Sequence, residues 1–196
     1  DKPTWTLKAL LGVMPDMPTH LLRVAPTFLG EGRPISGALR ERIMLAVAAE
    51  NRCWYCQTAH ATFGHAQGVS ADEVRGILDG HEEDLALPAG ERAALAYARD
   101  LARRQFRSRN NTLYDALLAD FTESERAAIE STAHLMNLAN RFGNTFDAAR
   151  ARVGGRCMEV EANTLDQAVI SAMFVPAALA VTPLVGAVAA LNLFRR

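Results

Sequence analysis

The stretch ENRCWYCQTAH, residues 50–60, contains the side chains that decide how this chain is interpreted. Cys53, Cys56 and His60 are spaced three and four residues apart. On a helix such residues lie on one face, one turn above another. Cys53 would stand in the first turn, where free N–H groups and the helix dipole lower the pKa of a thiol. His60 could exchange a proton with Cys56, and the two sulfurs could form a disulfide. The pattern therefore predicts redox or metal chemistry.

A carboxylate lies twelve residues before this motif, on the helix predicted to precede it. A helical hairpin of that length would return the side chain of Glu41 to the level of His60. There it would orient the imidazole or act as a base. The alternative is that Glu41 faces solvent. Arg40 and Arg42 flank it in the sequence, and the three residues would then form a charged helix face. The spacing alone leaves both interpretations open.

Glu41, Cys53, Cys56 and His60 at these spacings resemble the alkylhydroperoxidase-D/carboxymuconolactone decarboxylase superfamily, and within it the peroxidase-related group. The resemblance covers roughly residues 15–147. It implies an all-α, AhpD-like fold, a homo-oligomer and reduction of hydroperoxides without a metal or other cofactor. It further implies that Cys56 attacks the peroxide, Cys53 resolves the product, His60 relays protons and Glu41 is the base. An external reductant of lipoyl or thioredoxin type would restore the thiols.

Two points at the motif depend on this resemblance. The helix dipole favours Cys53 as the more acidic thiol, whereas the neighbouring His60 favours Cys56, so the resemblance alone selects Cys56 as the attacker. The best-known members carry a second histidine directly before the second cysteine, where this chain has Tyr55. The proton relay is then shorter, or Tyr55 supplies a hydroxyl.

Other functions remain open for the same residues. A zinc site would use both cysteines and His60, with Glu41 or His65 as fourth ligand, but the sequence offers no second pair of ligands. A decarboxylase of the same superfamily, acting on a lactone, would not rely on a cysteine pair. A non-catalytic redox-sensing or zinc-binding protein is the alternative outside enzymology.

The composition predicts a single helical domain that does not bind nucleic acid. Of 196 residues, 49% are hydrophobic, and 21 basic against 22 acidic residues give a net charge of -1. A secretory signal is not evident, so we expect a cytoplasmic protein, and the lack of an initiator methionine suggests that the natural start lies upstream. Periodicity and capping signals predict helices over 17–29, 36–51, 53–67, 70–80, 91–105, 112–119 and 122–150. The rest of residues 1–35 is predicted to be a loop-rich arm.

The motif has a degenerate echo 84 residues further along the chain. Glu41 aligns with Glu125, and the two cysteines and the histidine align with three asparagines, Asn137, Asn140 and Asn144. We expect one AhpD-like domain over residues 1–151, with an active first half (about 15–80) and a degenerate second half (about 91–150). The asparagine amides could hydrogen-bond between the halves.

A linker and an apolar helical tail, residues 152–196, follow the predicted domain. The 28 residues between Asp166 and Arg195 carry no charge, more than the ~20 needed to cross a bilayer. Pro176, Pro183 and Gly186 interrupt this stretch. The tail is therefore predicted to pack on a neighbouring subunit, with membrane contact as the alternative.

Overall fold

The predicted all-α fold is confirmed. The computed structural model describes residues 2–28 and 32–193, and within these ranges it contains helices and turns but no strand. The helices are α1 (Leu7–Val13), α2 (Met17–Val24), α3 (Gly37–Glu50), α4 (Trp54–Ala66), α5 (Ala71–Asp79), α6 (Ala89–Arg103), α7 (Asn111–Ala116), α8 (Glu123–Val153) and α9 (Thr164–Leu193). Short 3₁₀ turns occupy Met14–Asp16, Ala25–Thr27, Glu82–Asp84 and Leu117–Ala119.

Local capping chemistry starts three of the helices as the sequence predicts. The Ser36 hydroxyl accepts a backbone hydrogen bond at the start of α3. Ser70 with Glu73, and Thr122 with Glu125, form complete capping boxes at the starts of α5 and α8. Each box satisfies N–H groups that the helix itself cannot pair, which fixes the residue at which the helix begins.

The N-terminal arm is more helical than the prediction of one helix over 17–29. The chain forms α1 as well, and α2 already ends at Val24. The prolines explain the difference, because Pro15, Pro18 and Pro26 each stand in the first turn of a helix or 3₁₀ turn. Proline is well tolerated there, since its missing N–H would have no partner in any case.

Helix α3 forms the centre of the core. It packs against α4, α5, α6 and α8, and Ile43, Leu45 and Val47 are fully buried. Its buried residues surround the helix, which is typical of an element enclosed by others and not of an amphipathic surface helix. Arg40 and Glu41 on this helix therefore lie inside the protein.

The echo of the motif lies on a single long helix. Helix α8 has 31 residues and passes without a break through the positions that align with the turn between α3 and α4. The aligned residues therefore lie on one continuous helix, and the helical hairpin of the first half does not recur with them.

The apolar tail forms α9, and its first turns pack on the N-terminal arm of the same chain. Trp5, Leu10 and Ile170 form a small buried cluster, and the Leu7 N–H donates to the Asp166 carboxylate at 2.9 Å. Further along, α9 packs over α4 and α8. No helix in the described ranges has both the length and the hydropathy needed to span a membrane.

Candidate active site

A two-residue turn between α3 and α4 places both cysteines at the start of α4. Arg52 adopts the left-handed conformation with φ of 54°, and the Cys53 N–H donates to the Ala48 carbonyl at 3.0 Å. The short turn makes Cys53 the N-cap residue of α4, with Cys56 three residues later in the first turn. Both sulfurs therefore lie where the free N–H groups of a helix favour an anion.

The two cysteines form a disulfide, with their Cα atoms 5.3 Å apart. Cys53 is 1% exposed and Cys56 is 6% exposed. Helix α8 passes against them at Gly143, where a Cβ atom would lie 3.0 Å from the Cys53 Sγ and 3.7 Å from the Cys56 Sγ. The absence of a side chain at Gly143 leaves room for the sulfurs, a role that no sequence motif signals.

Glu41 lies beside His60 in the interior. The His60 Nδ1 is 2.8 Å from the Glu41 Oε2, and Glu41 is only 2% exposed. Of the two interpretations left open by the sequence, the structure excludes the solvent-facing carboxylate. Burial acts to raise the pKa of Glu41, but hydrogen bonds and charges from His60 and Arg40 outweigh it and hold that pKa below its ordinary value. Glu41 is thus an anion that accepts the Nδ1 proton and leaves Nε2 of His60 to exchange protons elsewhere.

Arg40 is a member of this group that the sequence interpretation missed. Its guanidinium donates two hydrogen bonds to the Glu41 Oε1, at 2.9 and 2.7 Å, and one to the Thr27 carbonyl. It also stacks over the Phe28 ring, 4.1 Å from the centroid. Arg40 is buried like its partner, and the pair satisfies both charges.

The second flanking arginine has a different environment. Arg42 pairs with Glu73 at 2.6 Å and Glu91 at 2.8 Å, which ties α3 to α5 and α6. The two arginines looked equivalent in the sequence, but only Arg40 contacts the predicted site.

A cavity of about 710 Å³ opens beside this group. Cys56, His60, Glu41 and Arg40 line it, whereas Cys53 does not. The remaining lining comes mainly from apolar side chains of α3, α4, α8 and α9, with Phe28 from the N-terminal arm. Cys56, and not Cys53, therefore lines the cavity.

Tyr55, the residue directly before Cys56, faces both the cavity and α9. Its hydroxyl lies 3.1 Å from the Thr182 Oγ1, and its ring meets Phe174 edge-on with centroids 6.1 Å apart. The tail thus contributes to the site within the same chain, a contact that the sequence interpretation did not foresee.

Two of the three aligned asparagines hold the turn that carries Cys53. The Asn51 Nδ2 donates to the Asn137 Oδ1 at 3.1 Å, and the Asn144 Nδ2 donates to the Asn51 carbonyl at 2.8 Å. The amide of Asn140 is buried and has no hydrogen-bond partner among the described residues. The predicted amide contacts between the two halves thus occur at Asn137 and Asn144.

Of the two residues considered as a fourth metal ligand, Glu41 lies beside His60 but His65 does not line the cavity. The His65 Nδ1 lies 2.8 Å from the Val69 carbonyl at the end of α4. Within residues 2–28 and 32–193, no group of three or more His, Cys, Asp or Glu side chains is arranged to hold a metal ion.

Comparisons with known proteins bear on the family and the fold of the chain. The model of the carboxymuconolactone decarboxylase family matches residues 20–100. A solved structure, the alkylhydroperoxidase AhpD core of an uncharacterised peroxidase-related protein from Ralstonia eutropha, superposes with a TM-score of 0.54. The two sequences are 23% identical, and the match covers 69% of this chain and 71% of the chain in that structure. No curated protein matches the chain. The predicted resemblance to the AhpD-like and carboxymuconolactone decarboxylase superfamily is therefore confirmed.

Proposed function

Starting from that family match and the AhpD-like fold, we propose that the chain is a thiol-dependent peroxidase that reduces alkyl hydroperoxides. A peroxidase-related or carboxymuconolactone-decarboxylase-like role is supported by the family match and the fold alone. The finer assignment is carried by one observation. Cys56 and His60 line the same cavity, and Glu41 engages the other ring nitrogen of His60.

In the first step, His60 takes the proton of the Cys56 thiol through its Nε2 atom. The thiolate attacks the outer oxygen of the hydroperoxide, so an S–O bond forms as the O–O bond breaks. The electron pair leaves on the alkoxide oxygen, which takes the proton from His60 and becomes an alcohol. Cys56 is oxidised to a sulfenic acid while the peroxide is reduced.

In the second step, Cys53 resolves the sulfenic acid. Its sulfur attacks the Cys56 sulfur, the S–O bond breaks, and the departing hydroxide takes the thiol proton to form water. The product is the Cys53–Cys56 disulfide, the form present in this structure. An external dithiol then exchanges with the disulfide, restores both thiols and is itself oxidised.

The different exposure of the two sulfurs supports this division of roles. Cys56 borders the cavity that a peroxide would enter, whereas Cys53 is almost completely enclosed beside Gly143. The sequence predicts that the helix dipole favours Cys53, but both cysteines lie at the start of α4 and the dipole acts on both sulfurs. Access to the cavity, which Cys56 lines and Cys53 does not, is what distinguishes them.

The test is a single-turnover reaction of the reduced protein with tert-butyl hydroperoxide. We expect one equivalent of peroxide to be consumed with the loss of two thiols. Cys56→Ser should abolish consumption, and Cys53→Ser should stop at a sulfenic acid that a dimedone probe traps. Cys157→Ser is the matched control, because it removes an exposed thiol outside the site and should leave the rate unchanged. Consumption by Cys56→Ser at the wild-type rate would show the mechanism to be wrong.

A lactone decarboxylase is the second candidate, because the matched family model is named for that activity. Such an enzyme would use His60 and Glu41 without the thiols. Release of CO2 from a carboxymuconolactone by the Cys53→Ser/Cys56→Ser double variant would favour this function over the peroxidase.

A further inference from the structure

The cavity beside Cys56 is much larger than a peroxide group requires. Its volume of about 710 Å³ falls within the ~300–1,000 Å³ of pockets that enclose small organic ligands. Hydrogen peroxide has two oxygen atoms and fills on the order of two water volumes of ~30 Å³ each. Most of the space must therefore serve a part of the substrate that does not react.

The lining has the polarity expected for an organic group with one polar end. Arg40, Glu41 and His60 form one hydrogen-bonded group, and Cys56 lies one turn before His60. One wall is a continuous apolar stripe on α8, at spacings of three, one and three residues: Leu135, Leu138, Ala139 and Phe142. These features fit a ligand that places its polar end at Cys56 and its apolar body along α8.

Helix α9 also lines the cavity, through Met173 and Phe174. The Phe174 ring edge lies 3.9 Å from the Cβ position of Gly143, and the Cys56 Sγ lies 3.7 Å from that same position. The ring also packs on Phe146, with centroids 5.6 Å apart. Phe174 and Cys56 therefore line the same cavity, and both lie close to the point at which α8 passes at Gly143.

We propose that α9 is the substrate-selecting wall of the site and that its Phe174 and Met173 determine specificity. The site then takes a hydroperoxide with a bulky apolar organic group, such as an aralkyl hydroperoxide, in preference to hydrogen peroxide. The inference rests on the proposed peroxidase function and adds a substrate class to it. It also assigns selectivity to a helix beyond residues 20–100, the part that matches the family model.

The experiment compares second-order rate constants of the reduced protein for cumene hydroperoxide and for hydrogen peroxide. We expect the ratio of the two constants to exceed ten in the wild type, because only the organic peroxide buries apolar surface against α8 and α9. Phe174→Ala should lower this ratio about tenfold, since it removes a large apolar contact.

A second variant narrows the cavity without disturbing the core. Ala139 lines the cavity and is itself exposed to it, so Ala139→Leu adds volume where there is space. It should lower the ratio about fivefold or more, as expected for a pocket that loses room for a bulky group.

Val169→Ala is the matched control on α9: the residue is 38% exposed, lies one turn before Met173 and does not line the cavity. Its ratio should equal that of the wild type.

A binding measurement separates this inference from the peroxidase proposal. Isothermal titration of the disulfide form with 2-phenylpropan-2-ol, the alcohol product, should show binding that Ala139→Leu and Phe174→Ala weaken and Val169→Ala does not. Binding of the alcohol without any reaction of the thiols with peroxide would overturn the peroxidase and support the cavity assignment. Peroxide reduction with a ratio that neither variant changes would overturn the cavity assignment and support the peroxidase.

Discussion

At the residue scale, Glu41 is the side chain on which the electrostatics of the site depend, because one carboxylate holds both Arg40 and His60. Glu41→Gln keeps the shape and removes the charge. We expect the rate of peroxide reduction to fall about 100-fold, the usual contribution of a positioned acid–base group. The free energy of unfolding should fall by about 3 kcal/mol, because the buried Arg40 loses its counter-ion. Stopped-flow kinetics and urea unfolding measure the two effects.

The matched control for this prediction is Glu91→Gln, which also removes an ion pair made by α3. Glu91 pairs with Arg42, which keeps Glu73 as a partner. This partly exposed pair should contribute about 1 kcal/mol or less, and the peroxide rate should not change. An equal loss of rate in both variants would show that Glu41 acts only through stability.

At the scale of secondary-structure elements, the close contact between α8 and the start of α4 depends on Gly143. Gly143→Ala would place a methyl group 3.0 Å from the Cys53 Sγ. The free energy of unfolding of the disulfide form should fall by about 1–3 kcal/mol, the usual cost of overpacking. Gly12→Ala, in α1, meets nothing within 4 Å, so the same exchange there should stabilise the protein by up to about 1 kcal/mol. If urea unfolding shows Gly143→Ala to be stabilising as well, α8 does not press on the disulfide.

A second contact between elements is made by Asn144, whose side-chain amide hydrogen-bonds from α8 to the α3–α4 turn and to the N-terminal arm. The Asn144 side chain donates to the carbonyls of Asn51 and Pro3, at 2.8 and 3.0 Å. Asn144→Ala leaves both carbonyls without this donor, so we expect a loss of about 2 kcal/mol in the free energy of unfolding. Asn111→Ala, at an exposed position in α7, should change it by less than about 0.5 kcal/mol. A loss of the same size in both variants would contradict a specific role of Asn144 in the turn.

The elements also show what a sequence can and cannot predict here. Capping boxes such as Ser70 with Glu73 are local, so the starts of α5 and α8 follow from neighbouring residues. The meeting of Glu41 and His60 follows from hairpin length. By contrast, the inward orientation of Arg40, the close approach of Gly143 to the sulfurs and the position of Phe174 in the cavity depend on how distant helices pack. Periodicity within one segment carries no information about them.

At the scale of the whole molecule, the N-terminal arm is held on α8 by a pair of stacked histidines. His20 from α2 and His134 from α8 have ring centroids 4.3 Å apart, and His134 also packs on Phe106 with centroids 4.6 Å apart. Burial, and secondarily the charge of His20, lower the pKa of His134 from 6.5 to about 4. Burial is also the main cause that lowers the pKa of His20. The folded protein therefore keeps this pair neutral.

This neutral pair predicts how the stability of the whole chain depends on pH. Between pH 6.5 and about 4, His134 binds a proton in the unfolded chain but not in the folded one, so stability is complete above this range and falls as the pH is lowered through it. For His134 alone the loss reaches up to about 3 kcal/mol.

His134→Phe keeps a planar ring beside His20 but cannot titrate. Its free energy of unfolding, measured in urea at pH 7.0 and 4.5, should therefore differ less between the two pH values than in the wild type. Replacing the exposed His81 by glutamine removes a histidine that contacts neither ring, and should leave the wild-type difference intact. If His134→Phe loses as much stability as the wild type on acidification, His134 is not the source of the pH dependence. Glu41 would not explain such a loss, because its lowered pKa places its own contribution to the pH dependence at more acidic pH.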